Sequence, residues 1–370
     1  MTSIREAEDL GWMAEALALA ERGRGSTRPN PMVGAVVVVD GERVGSGFHE
    51  RAGEPHAEIH ALRSAGDAAR GATVYVTLEP CCFRGRTGPC TEALIEAGVA
   101  RVVVGTQDPN PRVSGQGVSR LRDAGIEVTT GVMEEACWEL NVIFNHWVTT
   151  KRPLVVLKLA TTLDGRIAAA GGASQWITGA RAREEVHAMR AHLDAVMVGS
   201  GTALADDPRL TARDVALPGG QPVRVLVDGE LRVPNTAALF TGDGDVIVAT
   251  RQSAGTRYEA LQGAGVEVLT LDNGEGHVDL EGLIEALGTR EPNPITSLLV
   301  EGGGGLSTAL IEADLVDRLH LFVAPTLMGG DGLAALGSLG VTHPDEAPRF
   351  ELLQLNTVGE DLEIVLTRRR

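Results

Sequence analysis

Short apolar segments of strand character alternate with helical segments along the whole chain. The N-terminal half has strand-like runs at 32–40 and Thr73–Leu78, with a helical segment between them at His56–Ala65. A second series of the same kind begins with the run PLVVLKLA at 153–160. Because strands that alternate with helices pack with the helices against the sheet, this pattern predicts an α/β layered fold in both halves.

The length of the chain predicts two domains. Single hydrophobic cores rarely grow beyond about 250–300 residues, and this chain has 370. The segment Ala136–Thr150 is followed by Lys-Arg-Pro, in which Pro153 cannot continue a helix. We therefore predict a boundary near residue 148, with one domain at 1–148 and a second at 149–370.

The charge balance argues against several classes of partner. The chain has 33 basic and 50 acidic residues, a net charge of −17, and only 3% aromatic residues. Such a chain repels polyanions and has few side chains on which unpaired bases could stack, so we expect no nucleic-acid partner. Its longest apolar run, Val33–Val39, is far shorter than the ~18 residues that span a bilayer, and residues 5–9 carry four charges where a signal peptide would be apolar. We expect no membrane partner and a cytoplasmic location.

One histidine and two cysteines have the pattern of a catalytic zinc site. His56 precedes a predicted helix, Cys81 follows a predicted strand after Pro80, and Cys90 lies eight intervening residues further on. One imidazole and two thiolates fill three positions of a tetrahedral Zn²⁺ and leave the fourth for water, the chemistry of a zinc-dependent deaminase. A structural zinc site with Cys82 as fourth ligand is the alternative, but adjacent cysteines rarely both reach one tetrahedral ion.

Glu58 lies two residues after His56 and is the candidate acid/base. At that spacing its carboxylate reaches the reacting water without binding the metal. It can then move a proton from the water to the departing amine. We predict His56, Cys81 and Cys90 as ligands and Glu58 as the catalytic residue.

The first half resembles the deaminase domain of the bifunctional riboflavin-biosynthesis deaminase/reductase family. The resemblance is carried by TRPNPMVGAVVV (27–38), GSGFHERAGEPHAE (45–58) and LEPCCFRGRTGPC (78–90). It implies a cytidine-deaminase-like α/β/α domain that hydrolyses the 2-amino group of a diaminohydroxy-phosphoribosylamino-pyrimidine, a small phosphorylated substrate. By the same resemblance, the substrate pocket includes Asn30, His49, Arg86 and Thr87.

The cysteine loop departs from this family at one point. The family usually has Pro-Cys-Ser-His, whereas this chain has Pro80-Cys81-Cys82-Phe83. The missing histidine is expected to contact substrate, so the change affects the substrate pose rather than the metal. We expect Cys82 to be an inert buried cysteine, with an oxidation-sensitive thiol as the alternative.

A glycine run in the second half is a candidate phosphate site. Gly302–Gly305 follows the strand SLLVE and precedes the predicted helix LSTALIEA at 306–313. Free backbone N–H groups at a helix N-terminus suit a pyrophosphate, although a tight turn explains such a run equally well. The run is not a G-x-G-x-x-G, because residue 307 is Ser.

Together with 156–179 and 198–213, this run is similar to the reductase domain of the same family, a dihydrofolate-reductase-like α/β fold. The resemblance implies NADPH-dependent reduction of the ribosyl group to a ribityl chain, and a homodimer formed through this domain. The positions that match the family's cofactor site are Ala160, Trp176, Thr202, Asp206, Gly303, Gly304, Gly305, Leu306, Ser307, Thr308 and Ala309. Trp176 has an alternative interpretation as a core residue.

Two arginines and two strand-end residues complete the reductase prediction. The guanidinium groups of Arg190 and Arg213 suit a substrate phosphate, with Ser174 and Leu210 beside them, although each arginine is equally typical of a solvated surface. Lys158 and Glu301 project from the carboxyl ends of two strands. Either can contact substrate or supply a proton as hydride arrives, and the sequence does not decide between them.

Two other functions stay open at this stage. The first is a nucleoside or tRNA base deaminase with an added recognition domain, which the charge and the low aromatic content disfavour. The second is a working reductase joined to an inactive deaminase domain that zinc merely stabilises.

Overall fold

The chain forms two compact units, residues 1–151 and 152–370. The computed structural model describes residues 4–84 and 88–369. No helix in these described ranges is both long and apolar enough to cross a bilayer. The sequence placed the boundary near residue 148, close to the observed division.

Helices flank one mixed sheet in unit 1. The elements in chain order are α1 (Ile4–Ala20), β1 (Gly34–Val39), β2 (Glu42–Phe48), α2 (Ala57–Ala65), β3 (Thr73–Leu78), α3 (Cys90–Ala97), β4 (Arg101–Thr106), α4 (Gln116–Asp123), β5 (Glu127–Thr130), α5 (Glu134–Leu140) and α6 (Val142–Thr150). The strand order is β2-β1-β3-β4-β5, with β1 antiparallel to both neighbours and β3, β4 and β5 parallel. The predicted α/β layers are confirmed here.

Glycines on β2 let α2 pack directly on the sheet. A Cβ added at Gly47 would lie 2.4 Å from Cβ of His60, and one at Gly45 would lie 2.5 Å from the carbonyl oxygen of Ala61. Any side chain at these positions would push the helix away, because real Cβ atoms do not approach that closely. The close contact fixes the height of the N-terminus of α2 above the sheet.

A buried ion pair stabilises the opposite side of this sheet. The Arg101 guanidinium donates to both carboxylate oxygens of Asp9 at 2.7 Å, and the Tyr75 hydroxyl donates to the same carboxylate at 2.9 Å. Burial alone would raise the pKa of Asp9, but these hydrogen bonds and the charge of Arg101 outweigh it and lower the pKa below its ordinary value.

We expect Asp9→Asn to destabilise unit 1 by about 3–5 kcal/mol at neutral pH, because Arg101 loses its buried partner. A folded-state pKa below the unfolded one gives stability that is present above about pH 4 and lost as pH falls through the folded-state pKa. The difference in denaturant midpoint between wild type and variant should therefore shrink as pH falls below 4. The exposed Asp123→Asn is the control, and a difference that is independent of pH would contradict the ion pair.

A larger sheet forms the centre of unit 2. Its elements are β6 (Leu154–Thr162), β7 (Arg166–Ala168), α7 (Ala180–His192), β8 (Ala195–Gly199), α8 (Ser200–Asp206), β9 (Val223–Val227), β10 (Val246–Thr250), α9 (Thr256–Gly263), β11 (Glu267–Thr270), α10 (Leu280–Gly288), β12 (Ser297–Val300), α11 (Gly304–Glu312), β13 (Arg318–Ala324), β14 (Leu333–Ala334), β15 (Phe350–Val358) and β16 (Asp361–Arg368). The order of the nine-stranded sheet is β11-β10-β9-β8-β12-β6-β13-β16-β15.

The strands from β11 to β13 in this order are parallel, and the β15–β16 hairpin adds two antiparallel strands at one edge. The carboxyl ends of the parallel strands therefore meet at one edge of the sheet, where open α/β sheets bind their ligands. The alternating pattern of the sequence predicts the strands and helices of this unit but not the C-terminal hairpin.

Candidate active sites

The three predicted zinc ligands converge in unit 1. His56 immediately precedes α2, Cys81 follows β3, and Cys90 is the first residue of α3. The Nδ1 atom of His56 lies 3.2 Å from Sγ of Cys90 and 3.5 Å from Sγ of Cys81. A tetrahedral zinc ion with bonds of about 2.0–2.3 Å requires ligand atoms roughly 3.5 Å apart, so this donor set fits zinc.

Backbone contacts hold the two thiols near one another. The backbone N–H of Cys90 contacts Sγ of Cys81 at 3.3 Å, and the backbone N–H of Thr91 donates to the carbonyl of Cys81 at 3.2 Å. Hydrogen bonds from Cys90 and His56 lower the pKa of Cys81 to about 4, against the effect of burial. The hydrogen bond with Cys81 also raises the pKa of Cys90 well above its ordinary value, so the two thiols share one negative charge. Cys90 must lose its proton when a metal binds, because the thiolate is the form that binds a metal.

Glu58 lies in the first turn of α2 and is buried, with 3% of its surface exposed. Burial and the negative charge of Cys81 raise the pKa of this carboxyl to about 7. A divalent cation on the neighbouring ligands would oppose the rise, because positive charge favours the carboxylate. A carboxyl group in this position can both accept and donate a proton near neutral pH.

His49 lies beside the ligand His56, and Asn30 contacts His49; the resemblance implies that both residues belong to the substrate pocket. The Asn30 side-chain amide contacts Nε2 of His49 at 3.1 Å, and Nδ1 of His49 contacts the carbonyl of Pro55 at 3.2 Å. The His49 ring packs edge-on against the His56 ring, with centroids 5.3 Å apart. Burial lowers the pKa of His49, which favours a neutral ring that donates to Pro55 and accepts from Asn30.

Two residues of the described part of the cysteine loop, Cys82 and Phe83, contact the loop that contains Arg112. Arg86 and Thr87 fall outside the described residues. Among the described residues, Cys82 is not part of the metal-ligating group, and its Sγ contacts the carbonyl of Arg112 at 3.8 Å. Cys82 is partly exposed, so the expectation of a buried cysteine is wrong. The Phe83 ring packs under the Arg112 guanidinium at 4.1 Å.

Sequence reasoning missed two carboxylates next to the site. Glu79 accepts backbone hydrogen bonds from Asp108, Gly115 and Val118 at 2.9–3.3 Å and so ties the loop before α4 to the cysteine loop. Burial raises the pKa of Asp108 to about 6, and the charges of Glu79 and Cys81 add to this. The signal that could have identified Glu79 is its place between a buried strand and Pro80-Cys81.

In unit 2, the structure brings Lys158, Glu301 and Arg190 together. Lys158 lies inside β6, not at its carboxyl end as predicted, because β6 continues to Thr162 in register with β13. Strand β12 ends at Val300, which pairs with Leu157, so the next residues of the two strands lie side by side. Nζ of Lys158 is 4.0 Å from a carboxylate oxygen of Glu301, whose side chain is 10% exposed.

Arg190 holds the Glu301 carboxylate in a two-point contact. Its Nε and Nη2 donate to the two carboxylate oxygens at 2.5 and 2.9 Å, and its Nη1 donates to the carbonyl of Thr211 at 3.0 Å. Burial raises the pKa of Glu301, but the charges of Arg190 and Lys158 outweigh it and the pKa lies below its ordinary value. Burial lowers the pKa of Lys158. The site therefore pairs a carboxylate with an ammonium group that gives up its proton more readily than an exposed lysine.

The other predicted substrate residues differ in exposure. The exposed Arg213 lies against the ring of His187, with its Nη2 atom 3.3 Å from Nε2. Leu210 is 1% exposed and has φ of 56°, so its side chain is buried and supports the segment between α8 and β9. Ser174 lines the cavity described next.

A cavity of about 610 Å³ opens at the carboxyl ends of β8, β9, β10 and β12. This volume is in the usual range for a cofactor site. Most predicted cofactor residues line it: Thr202, Asp206, Gly303, Gly304, Gly305, Leu306 and Ala309. Helix α11 begins at Gly304, two residues earlier than predicted, so the glycine run forms its first turn.

The glycines keep this turn accessible and close to its neighbours. The backbone N–H of Gly303 donates to the hydroxyl of Thr202 at 2.9 Å, and a Cβ added at Gly304 would lie 3.2 Å from the carbonyl oxygen of Ala334. Nothing lies within 4 Å of a Cβ added at Gly305, so its backbone faces open space. The open space beside Gly305 at a helix N-terminus fits the pyrophosphate of a dinucleotide.

Four predicted cofactor residues do not line the cavity. Thr308 is buried, and its hydroxyl bonds the carbonyl of Gly304 at 2.6 Å and the N–H of Gly337 at 2.7 Å. Ser307 is also buried, and Ala160 packs against the core under α7. Trp176 is 70% exposed with Arg183 stacked on its ring at 4.6 Å, so the alternative that it is a core residue is wrong.

Comparison with known proteins gives matches to both units. Residues 153–364 match the model of the RibD C-terminal domain, and residues 6–106 match the cytidine and deoxycytidylate deaminase zinc-binding region. The riboflavin biosynthesis protein RibD of Aquifex aeolicus is 45% identical over 99% of both chains. The RibD protein of Escherichia coli is 44% identical, over 96% of this chain and 98% of its own.

Solved structures match over the same extent. RibD of Acinetobacter baumannii (form 1) has a TM-score of 0.88 at 40% identity and covers 99% of this chain and 100% of its own. The Thermotoga maritima diaminohydroxyphosphoribosylaminopyrimidine deaminase/5-amino-6-(5-phosphoribosylamino)uracil reductase has a TM-score of 0.86 at 37% identity, with the same coverage.

Proposed function

The chain belongs to the RibD family of riboflavin biosynthesis proteins, and on this premise we propose which residues act in its two reactions. The protein is a bifunctional enzyme, with a zinc-dependent deaminase in a cytidine-deaminase-like N-terminal domain and an NADPH-dependent reductase in the C-terminal domain. Similarity over nearly the full length to relatives with both domains disfavours the two alternatives, an inactive deaminase domain and a base deaminase with a recognition domain.

The proposed substrates follow from the Thermotoga maritima relative. We assign to the N-terminal site the hydrolysis of the 2-amino group of diaminohydroxyphosphoribosylaminopyrimidine, with release of ammonia. The C-terminal site then reduces the ribosyl group of the product to a ribityl chain. Both substrates are small phosphorylated pyrimidines.

In the deaminase, we propose that His56, Cys81 and Cys90 hold zinc. When bound, zinc supplies the positive charge that lowers the pKa of water toward neutrality. Glu58 accepts a proton from the attacking water and delivers it to the amino nitrogen, which departs as ammonia. Asn30 and His49 orient the pyrimidine, and the family resemblance adds Arg86 and Thr87 as substrate residues. The observation that carries this proposal is the convergence of the three ligands beside the buried Glu58 carboxyl.

In the reductase, we propose that Lys158 and Glu301 face the sugar. Lys158 donates a proton to the nitrogen of the ring-opened C1′ imine, which balances the hydride added at C1′, while Glu301 holds a ribosyl hydroxyl. NADPH supplies the hydride. Arg190 positions Glu301 and keeps two N–H groups for the substrate, and the more exposed Arg213 binds the phosphate with Ser174 and Leu210 beside it.

The proposed cofactor residues extend from the cavity to its rim. Those in the cavity are Thr202, Asp206, Gly303, Gly304, Gly305, Leu306 and Ala309. The exposed Trp176 ring and Ala160 contact the nicotinamide end of the cofactor. The buried Ser307 and Thr308 contribute backbone groups and support the first turns of α11.

A coupled assay tests both reactions in one cuvette. Purified protein is mixed with the diaminopyrimidine nucleotide, ammonia release is measured, and NADPH is then added while its absorbance is followed. We expect ammonia first and NADPH oxidation only after it. NADPH oxidation without prior ammonia release would restore the alternative of an inactive deaminase domain.

We also propose a homodimer formed through the reductase domain. Strand β15 lies at the edge of the sheet, where its unpaired N–H and C=O groups can pair with a second copy. Its Leu352, Leu353 and Leu355 are 60%, 45% and 57% exposed, an apolar surface that a partner would bury.

We propose no nucleic-acid partner, since the net charge is −17. The ligand thiols stay reduced in the cytoplasm, which favours that compartment.

Replacing both Leu353 and Leu355 by glutamate is expected to convert a dimer to a monomer, because each buried carboxylate would oppose association. Sedimentation equilibrium measures the mass of both proteins. The matched control is Leu10→Glu, at an exposed leucine of unit 1. A dimeric double variant, or a monomeric wild type, would contradict this interface.

A further inference from the structure

His187 lies in helix α7, one turn before Arg190, and has no role in the two proposed reactions. Residues at this spacing share one face of a helix. On this face, Nη1 of Arg190 donates to the carbonyl of Thr211 at 3.0 Å, and the backbone N–H of Arg213 donates to Nδ1 of His187 at 3.3 Å. The helix face that holds Glu301 therefore also contacts the segment between α8 and β9 that carries Arg213.

The backbone next to Arg213 is fixed by a distant side chain. The Gln221 side-chain amide accepts from the N–H of Ala212 and donates to its carbonyl, both at 2.9 Å. The buried Leu210 anchors the same segment two residues earlier. Because these contacts hold the segment, the backbone N–H of Arg213 has a set position, and so does the His187 ring that accepts from it.

The His187 ring and the Arg213 side chain cannot satisfy each other. A neutral imidazole accepts at one nitrogen and donates at the other, so a ring that accepts at Nδ1 carries its hydrogen on Nε2. Nε2 lies 3.3 Å from Nη2 of Arg213, which can only donate. The other tautomer moves the mismatch to Nδ1, which would then face the backbone N–H. An acceptor that contacts both Nε2 and Nη2 satisfies all of these groups at once.

The charges around His187 favour an anion as that acceptor. Burial, followed by the charges of Arg190 and Arg213, lowers the pKa of His187, so the ring is neutral near pH 7. The charge of Glu301 and a backbone contact with Thr211 oppose this shift without outweighing it. The Glu301 carboxylate compensates the charge of Arg190. The Arg213 guanidinium instead contacts the Thr211 hydroxyl and the neutral ring, so its charge is available to an anionic ligand.

We propose that His187 binds the phosphate of the ribosyl substrate, with its Nε2–H and Nη2 of Arg213 donating together to the phosphate oxygens. This pair makes the reductase discriminate against the same nucleoside without its phosphate. The inference rests on the proposed reductase function and its assignment of Arg213 to the phosphate. Arg190 bonds the carboxylate of Glu301 on one side and the carbonyl of Thr211 on the other. One guanidinium group thus separates the carboxylate that faces the sugar from the segment that takes the phosphate on the same sugar.

Steady-state kinetics of the purified full chain with two substrates test this role. The substrates are the deaminated intermediate and the same nucleoside without its phosphate. We expect His187→Ala to lower kcat/KM for the phosphorylated substrate by roughly 10- to 100-fold, mainly through KM, because one hydrogen bond to a charged group is lost. The values for the nucleoside, and KM for NADPH, should stay within about twofold, which also shows a folded site. His187→Gln should recover most of the loss, since an amide also offers an acceptor and donors.

A double-mutant cycle separates direct binding from support of Arg213. Arg213→Ala keeps the backbone N–H that His187 accepts, so the ring should stay in place. Adding His187→Ala to Arg213→Ala should then cause a further selective loss for the phosphorylated substrate of roughly tenfold. A double variant no weaker than Arg213→Ala would overturn the proposal, because His187 would act only through the arginine. Equal loss for both substrates in His187→Ala would also overturn it.

Two further measurements complete the design. Unchanged kinetics in Arg213→Ala would contradict the proposed function of that arginine, which is a different failure from an inactive His187. His343→Ala is the matched control, since it makes the same change at an exposed histidine of the same unit. It should alter the kinetics of neither substrate, and a selective loss in this control would remove the significance of the His187 result.

Discussion

Replacing Glu58 by glutamine is expected to slow deamination by roughly 10²- to 10⁴-fold, the usual contribution of a positioned acid/base. The amide has nearly the same shape as the carboxyl group, but it can neither take a proton from water nor pass one to the leaving amine. Because Glu58 is not among the metal-ligating residues, zinc content and fold should be unchanged. The deamination rate is measured as ammonia release at saturating substrate, and the zinc content of the same sample is measured by atomic emission spectroscopy.

Glu54→Gln is the matched control, since it makes the same chemical change at an exposed site four residues away. It should leave the deamination rate and the zinc content as in wild type. Full deaminase activity in Glu58→Gln would remove Glu58 from the reaction. Loss of zinc together with activity would show that Glu58 supports the metal site rather than the proton transfer. NADPH oxidation with the deaminated intermediate should be unchanged in both variants.

Replacing Lys158 by methionine is expected to lower reductase turnover by roughly 10²- to 10⁴-fold, because the ammonium group that supplies the proton is removed while its volume is retained. Glu301 keeps its two hydrogen bonds with Arg190 in this variant, so the local structure should survive. NADPH oxidation with the deaminated intermediate is the measurement, and ammonia release from the first substrate is the internal control.

Glu301→Gln distinguishes the two candidate proton donors. If Lys158 donates the proton, the glutamine variant should keep most of kcat and lose affinity for the substrate, because only a hydroxyl contact is weakened. A larger fall in kcat for Glu301→Gln than for Lys158→Met would reverse the two roles. Loss of deaminase activity in either variant would contradict two separate reactions.

The spacing of apolar residues predicted most helices and strands, because this spacing is a property of each short segment by itself. The zinc ligands and Glu58 were predicted for the same reason, since His56-Ala57-Glu58 and Pro80-Cys81 each bring a chemical group to the end of one element. The β15–β16 hairpin was missed. Most residues of β15 are exposed, so the strand lacks the continuous apolar run that identified the buried strands.

Contacts between distant segments were beyond such reasoning. Arg190 was predicted as a phosphate ligand because arginine suits phosphate, but its partner Glu301 is 111 residues away in the chain. Glu79 was missed because its three N–H donors come from α4 and the loop before it, about 30 to 40 residues later. Pairings of this kind depend on strand order and register, which the residue pattern does not contain.

The packing of α2 on β2 has a consequence for interpreting natural variants of this enzyme. His56 and Glu58 stand at the N-terminus of a helix whose height is set by Gly45 and Gly47. Neither glycine is a metal ligand or an acid/base, yet a side chain at either position would displace the helix that begins beside His56 and carries Glu58. Such a variant would behave in a library screen as a folded protein with reduced deaminase activity, so the two glycines contribute to catalysis through the position of α2.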